Sequence, residues 1–330
     1  MMQRLTTGVV LVLVVASAAG CASGSASGSR EAASATVVHT QSSVAGRFDI
    51  GGGRSMYLEC SGTGAPTVVL VSGQRSSALD WHTSHSSARP PAAPVYEELA
   101  RSHRVCAYDR PGTVVGDAFS RSDPIHQPTN AARSAADLRA LLAAAGEQGP
   151  FVLVGHSIGG LIVRLYAATH PDEVSGMVLI DAASEFLQDA ETPSQWTIQR
   201  ALMKVDASQI PESVAEYPDI ETWDIDASFA QLRSAPPLRP MPLVVLSADE
   251  KLAPLFPAMI ASGALPSGTP PDFGAIVDAA QAKAQARLAE LVPGAVHVTR
   301  TNSGHDIHQI QPQLVVDAVS RTIAAATGRG

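Results

Sequence analysis

The sequence predicts an α/β protein: a mostly parallel sheet with helices on both faces. Three observations carry this expectation. Runs of buried-type residues recur at 67–72 (TVVLVS), 104–108 (RVCAY), 151–154 (FVLV), 174–180 and 243–247. Helical segments separate these runs, as in sheets whose strands are covered on both sides. The run at 151–154 passes straight into Gly155-His156-Ser157-Ile158-Gly159, and an apolar helical stretch, 161–169, follows at once.

The chain has 330 residues, enough for one large α/β domain or two smaller ones. Its 45% hydrophobic content supports a sizeable core, and 16% charged residues is low for a disordered protein. A net charge of −8 argues against nucleic acid as the main partner. Aromatic residues are few, at 5%, and alanine is plentiful, so closely packed small-residue helices are expected.

From the front, residues 1–7 carry one positive charge, Arg4, and no acid. Residues 8–16 form an apolar block too short to span a bilayer comfortably, and small residues then lead to Cys21. This is the profile of an export signal over 1–20. Residues 21–45 are rich in Ser, Ala and Gly and show no apolar period, so they read as a flexible tether. As a coil its ends would lie roughly 25–30 Å apart.

The folded domain is expected over 46–326. Residues 46–50 and 55–61 flank Gly51-Gly52-Gly53 and read as an antiparallel hairpin. The stretch 75–99 is longer than a crossover needs. It holds His82 and His85 at metal-like spacing, but no third ligand lies nearby, so it is expected to wall a pocket rather than bind zinc. Residues 129–145 form a helix, with Thr129 or Asn130 as its cap and Gly146 past its end. After the strand ending at Asp181, residues 184–240 carry tryptophans, acids and scattered prolines without strand alternation, with helical pieces at 195–204 and 225–233. An alanine-rich helix is expected at 273–291, a last strand at 296–299 and a closing helix at 312–326.

The chemistry centres on Ser157. A Gly-x-Ser-x-Gly set between a strand and a helix makes a turn so sharp that side chains beside the serine clash. The turn lifts the Ser157 hydroxyl above the sheet and aims the Ile158 N–H at the same point. Far downstream, Ser303-Gly304-His305 follows the last strand. These motifs, in this order, resemble the cap-bearing serine hydrolases of the α/β-hydrolase family, and the resemblance runs over 46–326.

The resemblance implies an eight-stranded, mostly parallel sheet with a helical cap, about 184–240, inserted after the sixth strand. It implies Ser157 as nucleophile and His305 as general base, with the Gln74 and Ile158 N–H groups as the oxyanion hole. The family carries a His-Gly pair after the third strand where this chain has Ser72-Gly73. The acid belongs just after the seventh strand, which makes Asp249 the first choice. Glu250, one residue on, and Asp181, at the end of the sixth strand, are the alternatives. His308 is the competing histidine, expected to start or cap the terminal helix, and His156 should point away from the hydroxyl. Asp109-Arg110-Pro111-Gly112 resembles the family's loop at that place and is expected to be an ion-paired turn in the site wall. In the family's sheet order the second and fourth strands are neighbours, so Cys60 and Cys106 are expected to form a disulfide; the alternative is two buried small hydrophobes. Ala18-Ala19-Gly20-Cys21 resembles a bacterial lipoprotein signal, with alanine in place of the usual leucine. It implies a lipidated Cys21 and a protein on the outer face of the bacterial cell membrane, or else a secreted one.

The implied function is hydrolysis of a small-molecule ester, less readily an amide, through an acyl-serine, with no metal or organic cofactor. A serine nucleophile argues against haloalkane dehalogenase and epoxide hydrolase chemistry, which uses an aspartate there. The alternative is a catalytically silent surface binding protein on the same scaffold, motivated by the missing oxyanion-loop histidine and the ambiguous acid.

Overall fold

The computed structural model describes residues 43–204 and 219–328. The expected signal and nearly all of the expected tether lie outside the described residues. Eight strands form one sheet: β1 (Val44–Asp49), β2 (Ser55–Ser61), β3 (Val68–Val71), β4 (Val105–Tyr108), β5 (Phe151–His156), β6 (Val174–Ile180), β7 (Leu243–Leu246) and β8 (Val296–Val298). Their order is β1-β2-β4-β3-β5-β6-β7-β8. The hairpin β1–β2 and the β2–β4 pair are antiparallel, and every later pairing is parallel.

Burial along the strands follows from this arrangement. Strands β3, β4 and β5 are buried at every position because helices cover both faces. The edge strand β1 alternates between half-buried and exposed residues. Successive side chains point to opposite faces, so Val69, Val71, Cys106 and Leu153 enter one core while Val68, Leu70, Ala107 and Val154 enter the other.

The helices are α1 (Val95–Ala100), α2 (Ala131–Ala144), α3 (Gly159–Thr169), α4 (Phe186–Asp189), α5 (Pro193–Leu202), α6 (Ile225–Ser234), α7 (Phe256–Ala261), α8 (Phe273–Leu288), α9 (Ile307–Ile310) and α10 (Pro312–Ala326). Helices α2 and α3 cover the first core, and α1 and α10 cover the second. The helix expected at 129–145 starts at Ala131, because Asn130 is the cap and its side chain accepts from the Arg133 N–H at 3.0 Å. The helix expected at 195–204 begins earlier, at Pro193, because Thr192 and Gln195 form a capping box.

The excursion between β6 and β7 contains α4, α5 and α6, with residues 205–218 outside the described set. Its Leu187, Trp196, Ile225, Phe229 and Leu232 pack with Ile158, Leu161 and Leu165 of the turn and helix that follow β5. Apolar burial therefore seats the excursion directly on the stretch that carries Ser157.

Cys60 and Cys106 lie opposite each other in the β2–β4 register and are joined as a disulfide. The bond staples the antiparallel end of the sheet across a sequence separation of 46 residues. Replacing both cysteines with alanine should lower the unfolding free energy by about 2–4 kcal/mol. Urea unfolding of the two proteins, compared at equal m-value, checks this.

Candidate active site

Four strand ends build the site. Among the described residues the non-glycine positions with left-handed backbone are Arg75, Ser157, Asp181 and Asn302, with φ of 62°, 53°, 38° and 49°. They follow β3, β5, β6 and β8, all on the carboxyl edge of the parallel strands. Such conformations cost about 1–3 kcal/mol each and persist only where packing holds them. Their position at one edge makes that edge the candidate functional site independently of any motif.

At the turn after β5, Ser157 itself takes the strained conformation, and Gly155 and Gly159 do not have positive φ. The glycines answer to proximity. A Cβ on Gly155 would sit 2.7 Å from Val163 Cγ2, and one on Gly159 would sit 2.4 Å from the Val71 carbonyl oxygen. The turn is pinned by its own backbone: the Ser157 N–H donates to the Ile180 carbonyl at 3.1 Å, and the Ser157 carbonyl accepts from Gly160 and Ala183 at 3.0 and 2.8 Å. The hydroxyl-bearing residue is half-buried.

The loop after β3 lies against this turn. A Cβ on Gly73 would be 3.3 Å from Ser157 Cβ and 3.0 Å from His156 Nδ1. Gln74, next in the chain, and Ile158, the residue that opens α3, therefore flank Ser157 from two elements. Among the described residues neither backbone N–H has a hydrogen-bond acceptor, so both are available to a ligand.

His305 arrives on the turn after β8. Its Nδ1 is 2.7 Å from Asp181 Oδ2, and about half of its side-chain surface remains accessible. Asp181 is held in turn by the Ala248 N–H at 3.2 Å and by Gln281 Nε2 at 3.3 Å, both on Oδ1. This corrects the expectation that Asp249 would be the histidine's acid. The Asp249 carboxylate is occupied elsewhere: Oδ1 accepts from the Thr301 hydroxyl at 3.1 Å and from the Ser303 N–H at 3.0 Å. Burial pushes the Asp249 carboxyl up, but the Ser303 and Asn302 N–H groups and the Thr301 hydroxyl outweigh it and hold the acid below its ordinary range. Asp249 thus braces the 301–303 turn that presents His305. Glu250 lines the cleft beside Gly304 and does not reach the imidazole.

Burial alone would lower the His305 pKa. The Asp181 hydrogen bond and charge outweigh it, and the imidazole is shifted above its ordinary value. Among the described residues no hydrogen bond joins the Ser157 hydroxyl to His305. The two come together through a neighbour: His156, the residue before Ser157, donates from Nε2 to the His305 carbonyl at 3.1 Å and packs against the His305 ring, tilted at 47° with a centroid distance of 4.7 Å. His156 is fully buried, and burial, with His308 and His305 alongside, pushes its pKa well down. A neutral His156 is thus a wedge between the turn and the histidine loop.

His308 does not start or cap the terminal helix. It lies in α9, wholly buried, with Nε2 on Asp80 at 2.9 Å and its ring between Trp81 and His156. His82 faces two carboxylates, Glu59 and Glu97, at 2.6 Å each, and His85 plays no part in that cluster. Arg110 pairs with Glu221, 111 residues away in the chain. Nothing periodic announces Glu221, which lies on the return path of the β6–β7 excursion. The cleft beside His305 has a volume of about 570 Å³, and Asp181, Gln199, Leu255, Val277 and Gln281 are among the residues that line it.

Comparison with known proteins bears on the family and the fold. Residues 68–318 match the family described as the alpha/beta hydrolase family. An uncharacterised protein of Schizosaccharomyces pombe is 33% identical over 146 residues, which are 39% of this chain and 26% of that protein. The pimeloyl-[acyl-carrier protein] methyl ester esterase of Chromobacterium violaceum is 36% identical over 139 residues, 42% of this chain and 45% of the esterase. The chain thus spans less than half the length of these curated relatives. Among solved structures, an esterase from Rhodococcus superposes with a TM-score of 0.54 at 19% identity, covering 86% of this chain and 99% of its own. At that identity the likeness is one of fold.

The contact at 2.7 Å makes a separable prediction for the two aspartates. In an NMR titration, the His305 ring should protonate above the ordinary imidazole value of about 6.5. Asp181→Asn should bring that midpoint down, and Asp249→Asn should leave it nearly unchanged. The reverse pattern would restore Asp249 as the histidine's acid.

Proposed function

We propose that this chain, which belongs to the alpha/beta hydrolase family, is a serine hydrolase that cleaves esters through an acyl-Ser157 intermediate. The observation that carries the reading is the Asp181–His305 pair at 2.7 Å, set on the loop that packs against the residue before Ser157. The esterase named among its relatives supports the substrate class.

The steps follow from the groups present. An ester carbonyl enters between Ser157 and the N–H groups of Gln74 and Ile158. The Ser157 hydroxyl closes on His305 Nε2 as the acyl group is seated; such contacts are commonly loose without substrate. His305 takes the hydroxyl proton as the oxygen attacks, and the carbonyl oxygen becomes an oxyanion held by the two N–H groups. Asp181 accepts from Nδ1–H, fixes the tautomer and stabilises the imidazolium. The proton passes to the leaving alcohol as the C–O bond breaks. Water then attacks the acyl-enzyme, again giving its proton to His305, and the acid departs as Ser157 recovers its proton. Leu187, Trp196, Ile225, Phe229 and Leu232, from the described part of the region expected as a cap, pack on Ile158 and α3 and keep bulk water from the back of the site.

The export reading belongs to this proposal as well: a signal over 1–20, lipidation at Cys21 and a location on the outer face of the bacterial cell membrane. The Cys60–Cys106 disulfide supports it, because such bonds persist in oxidising compartments.

A fluorophosphonate probe should label the wild-type protein and leave Ser157→Ala unlabelled. That variant should lose several orders of magnitude in rate on p-nitrophenyl esters. Because the base must be neutral and its pKa is raised, kcat/KM should fall on the acid side with a midpoint above that of free imidazole. Full labelling of Ser157→Ala, or an acid limb below the ordinary imidazole value, would contradict the assignment.

A further inference from the structure

Arg110 and Glu221 form a fully buried pair beside the loop that carries Gln74. Arg110 Nε donates to Glu221 Oε1 at 2.6 Å, and Nη2 donates to Oε2 at 3.1 Å. Glu221 is 0% exposed and Arg110 2%. Neither group spends all of its capacity on the other. Arg110 Nη1 donates to the Ser72 carbonyl at 3.0 Å and Nη2 to the Gly73 carbonyl at 2.6 Å. Glu221 Oε2 accepts from the Arg75 N–H at 2.6 Å, and the Arg75 side chain donates back to the Glu221 carbonyl at 3.2 Å.

These bonds bracket one peptide unit. The Gly73 carbonyl and the Gln74 N–H belong to the same amide, so a guanidinium on that oxygen draws electron density from the nitrogen. It makes the N–H a stronger donor and fixes the plane in which it points. On the far side, the carboxylate on the Arg75 N–H locks the next peptide, where the backbone is left-handed at φ 62°. A flip of the Gly73–Gln74 peptide would break the 2.6 Å bond from Arg110 and leave one N–H of a buried guanidinium without its acceptor.

The carboxylate comes from the β6–β7 excursion, and that excursion is stitched down here. The Glu221 N–H donates to the Gly112 carbonyl at 2.8 Å, and a Cβ on Gly112 would stand 2.4 Å from the Asp219 carbonyl oxygen. The Thr129 N–H donates to the Thr222 carbonyl, and the Asp224 N–H returns to the Thr129 carbonyl at 2.8 Å.

We infer that Arg110 and Glu221 are positioning residues for the oxyanion hole: together they orient and polarise the Gly73–Gln74 amide, so the return path of the excursion completes the hole without touching substrate. The inference rests on the serine hydrolase reading.

The test uses the whole protein with p-nitrophenyl butyrate as substrate and phenylboronic acid as the tetrahedral mimic. Glu221→Gln keeps the shape and removes the charge; Arg110→Lys keeps the charge and removes the fork. Folding is checked by circular dichroism and thermal unfolding. Glu221→Gln should lower kcat by roughly tenfold or more, less than the hundredfold or greater loss of a whole donor. KM should stay within about threefold, and boronate affinity should fall in parallel with kcat. Arg110→Lys should show the same split. Wild-type kcat and boronate affinity in a folded Glu221→Gln would overturn the inference alone. So would equal losses in KM and kcat without a selective loss of boronate, the signature of a merely structural tie. A wild-type protein that neither labels nor turns over would end the hydrolase reading and this inference together.

Discussion

The constraint on which the structure depends is lack of room at one bend. Between β5 and α3 the chain reverses so tightly that Gly155 and Gly159 have no space for a side chain, and Ser157 is forced into a left-handed backbone. The bend is stable because β3, β6 and α3 close on it, through the Val71 carbonyl, the Ile180 carbonyl and the Gly160 N–H. The strain at Ser157 is thus held by the packed centre of the sheet, where burial is complete. The backbone that carries the hydroxyl is thus fixed, and the remaining groups of the site are arranged around it.

They are set there by different physical means. The histidine comes on a turn braced by Asp249 and wedged by a neutral His156. Asp181 comes from the end of the strand beside the Ser157 turn. The Gly73–Gln74 amide comes on a loop held by a buried ion pair. A buried pair of this kind is weak evidence for stability, because desolvation offsets most of the attraction. Its value lies in fixing geometry, and the carbonyls it grips are those beside Ser157. The same economy explains why the four strained residues lie together: each is a strand end whose direction the site dictates.

Much of this was legible in the sequence. Buried runs of four to seven residues set between helices gave the sheet, with strands 55–61 and 174–180 placed to the residue. The Gly-x-Ser-x-Gly turn and Ser303-Gly304-His305 were legible because tight turns restrict residue type. The acid was not. Asp181 and Asp249 both follow buried strands, and only the packing of the 301–303 turn decides which carboxylate is left for the imidazole. Glu221 was invisible for a similar reason: it follows a segment without period, and its partner is 111 residues away. Local pattern specifies elements, whereas long-range charge pairing is specified by where those elements come to rest.

The disulfide between β2 and β4 has a mechanical consequence. Tension entering the domain through the residues before β1 would first peel the β1–β2 ladder, whose hydrogen bonds open one at a time from that end. The peeling front meets a covalent stop at Cys60, bonded to Cys106 in β4. Load beyond that point passes along the sulfur bridge into the sheet interior, and the parallel strands bearing the reactive groups are spared. In a molecule held by its leading end, the hairpin would serve as a shock absorber and the cystine as its buffer.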